Sequence, residues 1–141
     1  MRFWDASALL PLLVDESGTG DMVSLQREDP ATAVWWATTV ECWSALARAR
    51  RERRLTDQDV GAAARLLSEA EARWTEVPPQ ERVRDQAARL VRVHPLRAAD
   101  ALQLAAALVL SDFEPKVLPF VTLDDRLAQA ARREGFEVLG A

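Results

Sequence analysis

Asp100 stands in the first turns of HPLRAADALQLAAALVLS, residues 94–111, a stretch that reads as a helix apolar on almost every side. A helix of that kind is a buried helix, and an ionised carboxylate inside a core is costly unless it is paired or bound to a cation. Three other acids occupy comparable positions: Asp5 directly follows the strand-like RFW, Glu41 comes shortly after AVWW, and Asp124 follows VLPFVT. In an open parallel sheet, ligands bind in the crevice beyond the carboxyl ends of the strands. Three carboxylates are therefore aimed at one place, and Asp100 is a fourth that its helix must point somewhere polar. Four clustered like charges repel and raise one another's pKa values unless cations neutralise them. Hard divalent cations, Mg²⁺ or Mn²⁺, prefer such an all-oxygen surrounding, and the lack of a His or Cys partner argues against zinc.

The elements that must position these acids follow from the pattern along the chain. RFW (2–4) leads into SALLPLLV, and AVWW (33–36) into a helical stretch from about 39 to 54. Thr56 reads as an N-cap for a helix reaching about residue 73, and WTEV precedes Pro78-Pro79 and a helix near 80–92. After the Asp100 helix, VLPFVT (117–122) leads into DDRLAQAARRE, with Gly135 as the residue just past the helix end and FEVL as a last strand. Strands alternating with helices predict parallel strands joined by crossover helices, hence an α/β fold: a three-layer α/β/α sandwich on a mainly parallel sheet. One domain over residues 1–141 is expected, since no repeat or linker interrupts the chain.

Composition narrows the class further. The 141 residues are 49% hydrophobic and 28% charged, as in an ordinary soluble globular protein. The most apolar run is broken by Asp100 and Gln103, so neither a membrane span nor a signal peptide is expected. A single cysteine, Cys42, leaves no internal disulfide and fits a reducing, cytoplasmic setting. The net charge of −4 argues against a generic basic nucleic-acid binder, although an acidic protein can handle nucleic acid when metal ions supply the positive charge.

Each acid also has a structural alternative. Thr38 and Glu41 in TTVE have the spacing of a capping box. Asp5 suits the N-cap of the helix starting near Ser7, and Asp124 with Asp125 suits a helix first turn, where acids are favoured by the macrodipole. Asp100 could pair with Arg97, one turn earlier. The joint arrangement of four is harder to reach by chance than any one of them.

FWDASAL, TTVECWSALARA, LRAADALQLAAAL and FVTLDDRL together resemble the successive motifs of PIN domains, in particular the VapC-type toxins of bacterial toxin-antitoxin pairs. The resemblance runs through the whole chain in order. It implies a Mg²⁺- or Mn²⁺-dependent endoribonuclease with Asp5, Glu41, Asp100 and Asp124 as the acidic quartet. Ser7 matches a small hydroxyl residue that helps hold the site, and Thr122 the threonine that precedes the fourth acid. It further implies an RNA substrate cut to 5′-phosphate and 3′-hydroxyl ends, a homodimer, and a cognate antitoxin that inserts a segment into the acidic site.

The chemistry fits the residues. Phosphodiester cleavage needs a nucleophile at neutral pH and stabilisation of charge on the phosphoryl and leaving oxygens. A carboxylate-held metal lowers the pKa of its water, and a second ion roughly 3.5 to 4 Å away would steady the leaving group. Asp5 and Asp100 are the expected principal ligands, Glu41 a ligand or orienter of the attacking water, and Asp124 an outer or second-metal ligand.

Two rival functions are weaker. A non-catalytic PIN-like module that binds RNA or a partner has no need to keep four repelling charges. A response-regulator receiver would need a lysine after its last main strand, and the only lysine, Lys116, precedes VLPFVT. RARRERR (48–54) could steer RNA phosphates or form a solvated helix end favoured by the dipole. Core packing is expected for most of the five tryptophans, a structural role for His94, and burial as a small hydrophobe for Cys42.

Overall fold

The computed structural model describes residues 1–141 and contains a five-stranded, all-parallel sheet whose strands lie in the order Thr75–Val77, Thr32–Trp35, Arg2–Trp4, Phe120–Val121 and Val138–Leu139. In chain order the elements are β1 (Arg2–Trp4), α1 (Ala6–Leu13), α2 (Thr19–Glu28), β2 (Thr32–Trp35), α3 (Thr38–Arg51), α4 (Asp57–Glu71) and β3 (Thr75–Val77). Then come α5 (Glu81–Val93), α6 (Ala98–Leu110), a 3-10 turn (Pro115–Val117), β4 (Phe120–Val121), α7 (Asp125–Arg133) and β5 (Val138–Leu139).

Alternating side chains along each strand feed two separate cores, which gives the three layers. Phe3, Ala33, Trp35 and Phe120 face α5, α6 and α7, and Phe3 stacks on Phe120 with centroids 5.4 Å apart. Trp4, Val34 and Val121 face α1, α3 and α4 on the opposite side, with Leu46 and Leu67 among their neighbours. The central strands are buried on both faces, which is why they read as short continuous apolar runs. α6 is the innermost helix: Ala101, Leu104, Ala105, Ala106 and Ala107 are all buried, and the alanines let α5 and the sheet approach closely.

Local chemistry sets the helix ends. Thr56 caps α4 in a full capping box: its hydroxyl accepts from the Asp59 N–H at 3.1 Å and its own N–H donates to the Asp59 carboxylate at 2.8 Å. Gly135, at φ +99°, closes α7 in a Schellman turn, with Phe136 N–H donating to the Ala131 carbonyl and Gly135 N–H to that of Arg132.

Several boundaries differ from the sequence expectation. α2 has no counterpart there, because only Met22 of its ten residues is buried and the apolar period is faint. β3 is an edge strand with only Val77 buried, so TEV carries no alternation to read. VLPFVT narrows to Phe120–Val121 because Pro119 has no N–H and Pro115–Val117 forms a 3-10 turn. The Asp100 helix starts at Ala98, after the extended Arg97, and leaves His94–Leu96 outside it. No helix is long and apolar enough to cross a membrane.

Candidate active site

All four acids lie at the carboxyl edge of the sheet or on a helix start beside it. β1 ends at Trp4, and Asp5 turns the chain into α1 as its N-cap. Its Oδ1 accepts from the Ser7 hydroxyl at 2.8 Å and its Oδ2 from the Ser7 N–H at 3.2 Å. Ser7 Oγ also accepts from the Leu123 N–H at 2.9 Å and lies 3.3 Å from Thr122 Oγ1, which accepts from the Asp124 N–H at 3.0 Å. Ser7 and Thr122 thus tie the turn after β1 to the turn after β4. The N-cap alternative for Asp5 is realised together with its place at the strand ends.

Glu41 lies in the first turn of α3, but the capping box does not form. The N-cap of α3 is Ala37 and makes no side-chain cap. Thr38 is instead fully buried and faces Gln103 of α6, and the Glu41 carboxylate accepts from Gln103 Nε2 at 3.1 Å. Asp124 caps α7 through its Oδ1, which accepts from the Leu127 N–H at 2.8 Å; its Oδ2 makes no hydrogen bond. Asp100 and Asp124 line an open cleft with Asp125, Arg97 and Arg126.

The deeply buried carboxylate is Asp5, 5% exposed, and not Asp100. Asp100 is half-buried because α6 starts late, so that its first turn stands at the rim. It forms no ion pair with Arg97.

The electrostatics link the acids in a ring. Burial pushes the Asp5 carboxyl up to about 6, against the hydrogen bonds from Ser7 and Thr122 and with repulsion from Asp124 added. Burial likewise pushes Glu41 up to about 7, partly offset by Gln103 and reinforced by Asp5 and Asp100. Asp100 is raised by burial and then by Asp124, while Arg97 and Arg126 pull it down. Asp5 and Asp100 thus both feel Asp124, Glu41 feels Asp5 and Asp100, and no cation pairs with Asp5 or Glu41. No three Asp, Glu, His or Cys side chains are close enough to enclose one ion. An oxygen-only, unneutralised and open donor set suits a hard divalent cation that keeps several of its waters, as Mg²⁺ does, better than a closed zinc cage.

The remaining sequence features separate from this edge. Cys42 is fully buried, and burial, followed by Glu41 and Asp5, pushes its thiol up to about 12, so it is no nucleophile. His94 Nε2 lies 2.7 Å from Glu134 in a cluster that joins α5 to the end of α7. Trp4 and Trp35 belong to the core as expected, whereas Trp36 and Trp43 are 53% and 43% exposed. In the Arg-rich run, Arg50 pairs with Asp57 and Arg54 with Glu52 in the open, as in a solvated helix end. Gln103 is the site residue that sequence reasoning missed. Its signal was a lone amide three residues after Asp100 in an otherwise apolar helix.

A parallel sheet between two helical layers, with carboxylates gathered where its strands end, defines a three-layer α/β protein whose acids lie at the edge where open parallel sheets bind ligands. The PIN domain family model matches residues 2–133, and the chain belongs to that family. It is 33% identical over 139 residues to Ribonuclease VapC45 and to Ribonuclease VapC49, from two strains of Mycobacterium tuberculosis, covering 99% of this chain and 94% of each relative. Its fold is similar to the crystal structure of PAE2754 from Pyrobaculum aerophilum, with a TM-score of 0.61 and 25% identity over 92% of this chain and 78% of that one.

Proposed function

We propose that the chain is a Mg²⁺- or Mn²⁺-dependent endoribonuclease, the toxin of a type II toxin-antitoxin pair, acting as one PIN-like domain over residues 1–141. The single observation that carries this function is the ring of four carboxylates at the strand ends, two of them pushed up to about 6 and 7 with no protein cation to neutralise them. A chain that keeps such repulsion gains from it only when a cation arrives. The names of the two mycobacterial relatives, both ribonucleases, support RNA as the substrate.

Asp5, Glu41, Asp100 and Asp124 are the groups that would hold one or more divalent cations, with waters completing each coordination shell. Bound there, a divalent cation supplies Lewis acidity, activating water at neutral pH and screening charge on the phosphoryl and leaving oxygens. Ser7 fixes both oxygens of Asp5, each of which retains a lone pair for a further partner. Thr122 and Ser7 hold the start of α7, and with it Asp124, against the Asp5 turn. Arg97 and Arg126 flank Asp100 and are placed to meet backbone phosphates entering the cleft. The proposed partners are RNA, a cognate antitoxin and a second copy of the chain, in the cytoplasm.

The deciding experiment incubates the purified protein with end-labelled RNA in Mg²⁺, in Mn²⁺ and in chelator. Cleavage only with metal, leaving 5′-phosphate and 3′-hydroxyl ends, is expected. Cleavage that persists in chelator, or none in either metal, overturns the proposal.

A further inference from the structure

Gln103 is 1% exposed, on a helix whose neighbouring positions are Leu, Ala and Val. A buried amide costs free energy unless its donors and acceptor are satisfied, and a methionine of similar length would fill the same space without that cost. Both Nε2 protons are used, one on Thr38 Oγ1 at 3.1 Å and one on Glu41 Oε2 at 3.1 Å, while Thr38 Oγ1 lies 3.4 Å from Gln103 Oε1. Shape alone does not decide which end of an amide points where, but the Glu41 carboxylate does: it attracts the N–H end and repels the oxygen.

The spacing gives the amide a second meaning. Asp100 and Gln103 are three residues apart and share one face of α6, so this helix reaches the acid ring once directly and once through Glu41. Glu41 has more rotatable bonds than the three aspartates, and Gln103 is its only hydrogen-bond partner. Without it, nothing else in the structure fixes where that carboxylate sits.

We propose that Gln103, backed by the Thr38 hydroxyl, is a positioning residue that pins Oε2 of Glu41 and so leaves Oε1 free for a divalent cation. This role rests on the metal-dependent function proposed above.

The test compares wild type with Gln103→Met, which keeps the volume and removes the donor, and with Thr38→Val and Thr38→Ser. Three measurements are made on each: calorimetric titration with Mn²⁺, RNA cleavage at saturating metal resolved into kcat and KM, and thermal melting in chelator. Loss of a hydrogen-bonded support behind a ligand typically weakens metal binding or activity roughly 10- to 100-fold. Gln103→Met is expected to lose Mn²⁺ affinity and kcat by that order, with KM for RNA unchanged and melting in chelator no lower than wild type. Thr38→Val should shift the same quantities by less, and Thr38→Ser should restore them. Unchanged Mn²⁺ affinity and kcat in Gln103→Met, with a lower melting temperature, would show that the amide only fills the core and overturn the proposal. If Gln103→Met does not fold, the Thr38 pair decides, and equal affinities for valine and serine overturn it. A wild-type protein that takes up no Mn²⁺ removes the metal-dependent function itself, whereas normal wild-type uptake matched by the variants removes the role of Gln103 alone.

Discussion

Glu134 and Asp5 are both mostly buried carboxylates, one near each end of the sheet, yet their surroundings push them in opposite directions. Glu134, just past α7, accepts from Arg89 at 2.8 and 3.1 Å and lies 2.7 Å from His94 Nε2. The Arg89 hydrogen bonds hold its carboxyl below the usual range in spite of burial. Asp5 has only neutral donors and other acids for company, and burial carries it up to about 6. In the first cluster Arg89 neutralises the carboxylate; around Asp5 no cation does. Neutralised charge suits a group that serves the fold, and charge left opposed by nothing marks a candidate for chemistry.

The largest expected effect breaks the comparison at its functional end. Asp5→Asn should lower metal-dependent RNA cleavage by at least about 10³-fold, equivalent to about 4 kcal/mol of barrier, with the circular dichroism spectrum unchanged. The fold should survive because asparagine is as good an N-cap as aspartate for the Ser7 N–H. Cleavage at the wild-type rate would remove Asp5 from the mechanism.

Glu134→Gln breaks the structural end instead. It removes the charge that pairs Arg89 and leaves the cluster with weaker, neutral hydrogen bonds. A loss of about 1 to 3 kcal/mol in denaturant melts is expected, the lower figure reflecting the partial exposure of Arg89, with the cleavage rate per folded molecule unchanged. Stability equal to wild type would show that the pair contributes nothing.

How legible this contrast was in the sequence depended on distance along the chain. The four acids were readable because each follows a short apolar strand or opens a helix, and parallel topology collects such points at one edge. The strands were readable because burial on both faces leaves them uniformly apolar. α2 and β3 were not, since one buried residue in each gives no period to detect. Glu134 lies 40 residues from His94 and 45 from Arg89, so nothing local announced their union. The capping-box alternative for Thr38 and Glu41 fails for the same reason: its spacing is a local signal, and a tertiary partner 65 residues away in Gln103 overrides it. Asp100 lies shallower than an all-round apolar helix implies, because the first turn of α6 emerges at the rim.

pH separates the two clusters by sign. In the folded chain Asp5 and Glu41 sit at about 6 and 7, above their ordinary values of 3.8 and 4.5. Between about pH 4 and 7 the folded state therefore binds more protons than the unfolded one, so this contribution is fully present below the ordinary values and is lost as pH rises. Glu134, held low, contributes stability above 4.5 that is lost as pH falls below it. In chelator, Asp5→Asn should overtake wild type as pH rises from 5 to 8, ending about 1 to 3 kcal/mol more stable by denaturant melts. Parallel curves for the two proteins would contradict burial of an unpaired charge. Adding Mg²⁺ at ten times its Kd should return about 1.4 kcal/mol to wild type at pH 8 and little to the variant.

The smallest effect sharpens the contrast most, because Asp100 lies between its two poles. It is raised by burial and by Asp124, as a site acid should be, but Arg97 and Arg126 pull it partway back, as the partners of a structural acid would. Its half-exposed position lets solvent screen both influences. Asp100→Asn should therefore change stability in chelator by no more than about 0.5 kcal/mol, in the direction of a gain, while cleavage falls and most of the Mg²⁺-induced stabilisation disappears. A structural pair with Arg97 would give the opposite sign, since removing one partner leaves the other uncompensated. Denaturant melts of both proteins, in chelator and in Mg²⁺, read the two possibilities directly. A loss of more than about 1 kcal/mol in chelator with the Mg²⁺ response intact would place Asp100 beside Glu134 among the charges that hold the fold, and reduce the proposed metal site to the three acids that follow β1, β2 and β4.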